Sequence, residues 1–145
     1  CVYSHHHRGT PEKPGLVLGL DRGGACRGIL FRVSAADRDE TIAYLREREQ
    51  VTSVYREIEA RVAVAPGQTV TALTYVVDRN HVQYAGVLPR EALLAHVLQG
   101  VGVSGANPDY VLNTVAHLEE LGLHDATLAW LGARLIEDRI PDTDR

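Results

Sequence analysis

The sequence predicts an α+β fold, on three observations. Strand-like segments crowd into the first half, as in Tyr55-Arg-Glu-Ile-Glu-Ala-Arg-Val62, whose alternation suits a sheet with one wet face. Helix-start signals crowd into the second half, at Pro89 and at Asn107-Pro108-Asp109. The 145 residues are 45% apolar and 23% charged, an ordinary globular balance with room for one core, so residues 1–145 are expected to form one domain. Strands early and helices late define the class.

Residues 1–15 are polar and turn-rich, and Pro11 and Pro14 forbid a regular helix there. Residues 15–21 and 26–33 read as two strands, joined by Asp21-Arg22-Gly23-Gly24, which supplies the positive-φ positions a hairpin wants. Ser34 is the expected N-cap of a first helix running to about Glu49, with Asp37 at capping-box spacing. Residues 55–64 and 69–77 form the next strands, linked by Ala65-Pro66-Gly67-Gln68. A helix follows from Pro89 to near Gly100. After a Gly-rich loop, Asn107 caps another with Pro108 at its first position, and that helix stops at Gly122. A last amphipathic helix covers residues 125–139 and ends in a polar tail.

The formal charge of −4 argues against a nucleic-acid partner, which demands a basic face, but leaves an anionic substrate open through a local pocket. No apolar run approaches the length that spans a bilayer. Cys1 and Cys26 are too few for a disulfide framework, and Cys26 is expected to be a small buried strand residue. A cytosolic location fits this usage best. The chain starts at Cys1 without a Met or signal peptide, as a piece from inside a longer sequence would.

Glu49 is the most informative residue for chemistry. Ile42, Leu45 and Glu49 fall at i, i+3 and i+7, so the face that should bury Ile42 and Leu45 also carries this carboxylate, while Glu47 points away. Burial and the negative end of the helix dipole both disfavour a charged carboxylate, which is the poise of a general base near neutral pH. Arg46 and Arg48 push the other way. The same pattern also fits a Glu at a fraying helix end paired with an arginine, and pattern alone favours that plainer reading.

Other constellations are weaker. His5-His6-His7 offers no converging metal-ligand set, and a solvated or hydrogen-bonded cluster is the simpler reading; no metal is expected. Gly100, Gly102 and Gly105 match G-x-G-x-x-G, but a helix precedes them where a dinucleotide site needs a strand. The helix start at Asn107 could hold a carboxylate, or be a connection only. Ser104 lacks the nucleophile-elbow pattern. Tyr84 and Tyr110 lie in or beside loops, where a phenol serves a ligand or packing equally well.

Three words change these odds: His7-Arg-Gly-Thr-Pro-Glu-Lys-Pro-Gly-Leu-Val-Leu-Gly-Leu-Asp21, Tyr44-Leu-Arg-Glu-Arg-Glu49 and Gly105-Ala-Asn-Pro-Asp-Tyr110. In this order and spacing they resemble the ChaC-like, glutathione-specific γ-glutamylcyclotransferases, over residues 1–135. The resemblance implies a small mixed β-sheet or barrel with surrounding helices. It implies cleavage of glutathione to 5-oxoproline and Cys-Gly without metal or organic cofactor. The family's essential acid falls on Glu49, as general acid/base. Tyr55, shortly after it, matches a position given to substrate positioning, and Tyr84 and Tyr110 match aromatic positions of the ChaC-like branch. No nucleic acid, membrane or obligate protein partner is implied.

One departure stands out. Family members carry a first strand and a Tyr-Gly-Ser-type glutamyl-binding loop near their start, and this sequence has no such motif, so the domain is expected to lack both. Two alternatives therefore accompany the glutathione reading: a non-catalytic ligand-binding domain of the same fold, and a cyclotransferase for other γ-glutamyl amines or dipeptides.

Overall fold

A computed structural model describes residues 1–139, except for the side chain of Arg139. The polar tail expected after the last helix lies outside the described residues. The strands are β1 (Val2–Ser4), β2 (Gly15–Val17), β3 (Tyr55–Ala65), β4 (Gln68–Val77), β5 (Val101–Gly102) and β6 (Gly105–Ala106). The helices are α1 (Arg38–Glu49), α2 (Arg90–Gln99), α3 (Asn107–Glu120) and α4 (Ala126–Arg139). The class is α+β, and among the described residues the strands pair as β1–β2, β3–β4 and β5–β6, each pair antiparallel. The chain divides into two compact units, one of residues 1–18 with the chain from Ala85 onward, the other Gly19–Tyr84.

In the first unit, α2, α3 and α4 bury Val97, Val111, Leu131 and Leu135 against Leu16 of β2. Leu128, Leu131 and Leu135 recur at helical spacing, which turns one face of α4 inward. Each such side chain, fully buried, contributes roughly 1.5–3 kcal/mol. Asn107 is fully buried among them. It is the first residue of α3 and not its N-cap, as the sequence suggested. Its side-chain amide behaves like a neighbouring strand: Oδ1 accepts the Leu16 N–H at 2.7 Å, and Nδ2 donates to the Leu16 carbonyl at 2.8 Å.

The glycines of residues 100–106 have a steric reason. A Cβ at Gly100 would collide with the Arg8 carbonyl, and one at Gly102 with the His6 carbonyl. The segment between β1 and β2 runs across them, backbone against backbone. β1 itself was not evident in the sequence. Three residues among turn formers carry no period, and it exists through its ladder with β2.

In the second unit, β3 and β4 form a long hairpin pairing Tyr55 with Val77, Glu57 with Tyr75 and Val62 with Val70. Gly67, at φ 74°, makes the turn. The sequence placed these strands within a residue or two. Residues 26–33 are a correction. They form no strand, Cys26 is exposed, and Ile29, Leu30, Phe31 and Val33 face outward. Ile29-Leu30-Phe31 is an unbroken apolar run without alternation, and no described strand pairs with it; a strand needs a ladder partner as well as apolar residues. Residues 15–21 shorten likewise to Gly15–Val17.

Ser34 does not cap α1 directly. Its hydroxyl accepts the Asp37 N–H at 3.2 Å and donates to Asp37 Oδ2 at 2.7 Å, so the reciprocal pair closes a preceding turn and α1 begins at Arg38.

Candidate active site

Glu49 is the last residue of α1. Thr41, Ile42, Leu45 and Glu49 are the partly buried residues of that helix, whereas Glu47 is exposed, so the face read from the sequence is the inward one. The Glu49 side chain is 30% exposed, with Arg48 Nε at 3.4 Å from Oε1. Both sequence-level readings have a trace here: the carboxylate is turned inward, and an adjacent arginine reaches it.

Facing α1 is one side of the hairpin, on which Tyr55 and Glu57 of β3 alternate with Tyr75 of β4 opposite Glu57. Arg46, one turn before Glu49, grips Glu57 with two hydrogen bonds, Nε to Oε2 at 2.8 Å and Nη2 to Oε1 at 2.6 Å. Such a two-pronged, charge-assisted pair fixes direction as well as distance. The Tyr75 hydroxyl donates to Glu57 Oε2 at 3.0 Å. The Arg46 hydrogen bonds hold the Glu57 carboxyl below the usual carboxylate range, against its partial burial, and Tyr75 assists. Burial first, then the hydrogen bond to Glu57, pushes the Tyr75 phenol up, and the Glu49 charge adds to the effect. Arg46 is raised in return by Glu57.

The tyrosines expected at the site divide. Tyr55 opens β3 on the Glu57 face and is half-buried. Tyr84 lies elsewhere in that unit and donates to Asp21 Oδ2 at 2.8 Å. Asp21 also accepts Arg79 Nε at 2.7 Å, and Arg79 Nη2 reaches the Arg22 carbonyl at 2.8 Å, so Tyr84 helps anchor the Gly23–Gly24 loop. Arg79, then Tyr84, hold the Asp21 carboxyl far below its ordinary range. Tyr110 belongs to the other unit. Its hydroxyl accepts the Leu18 N–H at 3.1 Å, and the Arg8 guanidinium lies 5.5 Å from its ring centroid.

A cavity of about 620 Å³ borders the opposite face of the hairpin, lined by Arg22, Arg56, Ile58, Thr74 and Arg79 among others. In the other unit, Leu16, Leu93, Tyr110 and Leu128 help line an apolar cavity of about 400 Å³. Glu49 lines neither. Among the described residues no cluster of His, Cys, Asp and Glu is arranged to hold a metal. His7 Nδ1 instead shares a 2.9 Å hydrogen bond with Ser104 Oγ. No described helix is long and apolar enough to cross a membrane.

The hydrogen-bonded network of Tyr75, Glu57 and Arg46 was not anticipated from the sequence. The sequence carried no usable signal: a turn at Pro66-Gly67 pairs Ala65 with Gln68, which alone would set Tyr75 opposite Ile58, and the register shift between Ala63 and Ala65 is what brings Tyr75 opposite Glu57.

The fold and this inward acid define an α+β chain with a carboxylate at a helix end facing a β-hairpin. Residues 1–136 match the family described as ChaC-like protein, and the chain belongs to that family. It is 26% identical over 145 residues to a glutathione-specific gamma-glutamylcyclotransferase of Escherichia coli strain K12, covering 98% of this chain and 63% of that one. It is 32% identical over 120 residues to glutathione-specific gamma-glutamylcyclotransferase 1 of Mus musculus, covering 80% of this chain and 54% of that one. The chain thus spans between half and two thirds of the length of these relatives. In fold it is similar to a crystal structure of a yeast γ-glutamyl cyclotransferase specific to glutathione, with TM-score 0.75 and 16% identity, over 95% of this chain and 84% of that one.

Proposed function

We propose that this protein is a glutathione-specific γ-glutamylcyclotransferase, with residues 1–145 acting as one cyclotransferase domain and Glu49 as its general acid/base. The α-amine of the γ-glutamyl group attacks its own γ-carbonyl carbon. A C–N bond closes the five-membered ring of 5-oxoproline, and the amide bond to the cysteinyl nitrogen breaks. Glu49 takes the proton from the amine and returns one to the departing nitrogen, so Cys-Gly leaves neutral at that atom.

The family match over residues 1–136, with Glu49 on the inward face of α1, is the observation that carries this reading. The chemistry asks for little else. Cyclisation is intramolecular, and holding the glutamyl arm folded supplies several kcal/mol of the barrier. A positioned general base adds typically 10²- to 10⁴-fold. Tyr55 is assigned to substrate positioning; Tyr84 and Tyr110 retain lone pairs that accept a substrate donor. No metal or organic cofactor and no protein partner enters the scheme. A cytoplasmic location suits the two free cysteines, one of them exposed.

Glu49→Gln tests the reading. It is expected to lower 5-oxoproline release by at least about 10²-fold while leaving thermal stability and substrate binding close to wild type. Near-normal release by this variant would overturn the assignment. A second reading, a non-catalytic binding domain, is favoured by Glu49 lining neither cavity described above. It predicts that glutathione binds and no product forms. A panel of γ-glutamyl amines and dipeptides separates glutathione specificity from a broader preference.

A further inference from the structure

The amine of a γ-glutamyl group is mostly an ammonium at neutral pH, with three protons to donate and one to surrender before attack. That first proton passes to solvent and Glu49 takes the one the amine loses as the ring closes, yet one carboxylate does not orient three donors. The group beside it should accept hydrogen bonds and offer no competing proton.

Tyr75 meets this requirement through the placement of its own proton. A phenol has one, and here it is donated to Glu57 Oε2 at 3.0 Å. What the oxygen has left is lone pairs. Arg46 holds both oxygens of Glu57, at 2.8 and 2.6 Å, and so orients its carboxylate. Arg46 also neutralises Glu57, so the network presents a neutral, polarised acceptor and no second unpaired anion. Glu49 ends the helix that supplies Arg46, three residues on and so on a neighbouring position of the same helix face as the arginine that grips Glu57.

We infer that Tyr75 Oη accepts a hydrogen bond from the α-ammonium of the γ-glutamyl substrate beside Glu49, with Arg46 and Glu57 as positioning residues that keep the phenolic proton turned away. Tyr75 exchanges no proton in the reaction; it selects for the free amine and directs it. The inference rests on the cyclotransferase reading for its substrate.

The test compares glutathione with its des-amino analogue, glutaryl-cysteinylglycine, as ligands of wild type and of Tyr75→Phe by calorimetry, alongside steady-state kinetics. Loss of a hydrogen bond to a charged group should weaken glutathione binding and raise KM at least about tenfold. The analogue, lacking the amine, should bind both proteins within about twofold, and a merely structural role would not produce that split. Glu57→Gln keeps an acceptor for the phenol but loses the Arg46 ion pair, so its effect should be smaller and equally confined to glutathione. Equal weakening of both ligands, or of neither, by Tyr75→Phe overturns the inference. A wild type that binds glutathione without releasing 5-oxoproline overturns the cyclotransferase reading alone, since the ligand pair still reports the ammonium contact. A wild type that binds neither ligand overturns both.

Discussion

Asp21 and Glu57 are two carboxylates whose partners keep them charged, and their linkage to stability has a definite sign. Each sits below its ordinary value, 3.8 for Asp21 and 4.5 for Glu57. As pH falls through those values the unfolded chain takes up protons before the native one, so stability present at neutral pH drains away. Tyr75 and Tyr84 are raised above 10.0, so their contribution is present below that pH and is lost as pH rises through their folded values. Chemical denaturation between pH 3 and pH 7 should therefore show a steady loss below about 4.5. Asp21→Asn should lower stability at pH 7 and flatten that slope; an unchanged slope would separate Asp21 from the acid limb. Among the described residues the ion pair of Glu49 is the 3.4 Å contact with the exposed Arg48.

At the level of elements, the central joint is the side chain of Asn107 standing in for a strand beside Leu16. Asn107→Ala would leave a buried N–H and a buried carbonyl unpaired, a loss of about 2–4 kcal/mol read as a fall in the urea midpoint. A change near zero would mean that water replaces the amide. The sequence showed Asn107 as a helix-start residue but not this second use, because its partner lies 91 residues earlier and no local period encodes it. Local chemistry explains what was legible. The β3–β4 hairpin, α2 and α3 each had a turn, Pro or Asn signal at an end, α4 had its amphipathic period, and each was placed within a residue or two. Residues 26–33 had apolar character without a ladder partner, and the β1 ladder and the Gly100–Gly102 crossing arise only from contacts across the chain.

For the whole molecule, the order of strand and helix signals gave the α+β class and helical periodicity drew attention to Glu49, but only the three family words in register attached a reaction to it. The inward face of α1 was legible from a 3.6-residue period, whereas Arg46, Glu57 and Tyr75 act together only once β3 and β4 pair in one register. A buried face was thus readable where it lay along one helix, and the Arg46–Glu57–Tyr75 network was unreadable because it needs two strands and a helix at once. The reaction assigned to the molecule is a rearrangement within one substrate, which makes its products diagnostic. The direct measurement is product analysis after incubating the protein with glutathione in oxygen-18 water. The account predicts 5-oxoproline and Cys-Gly in equal amounts, with no solvent oxygen in the 5-oxoproline. Free glutamate carrying solvent oxygen would mean hydrolysis and would contradict it.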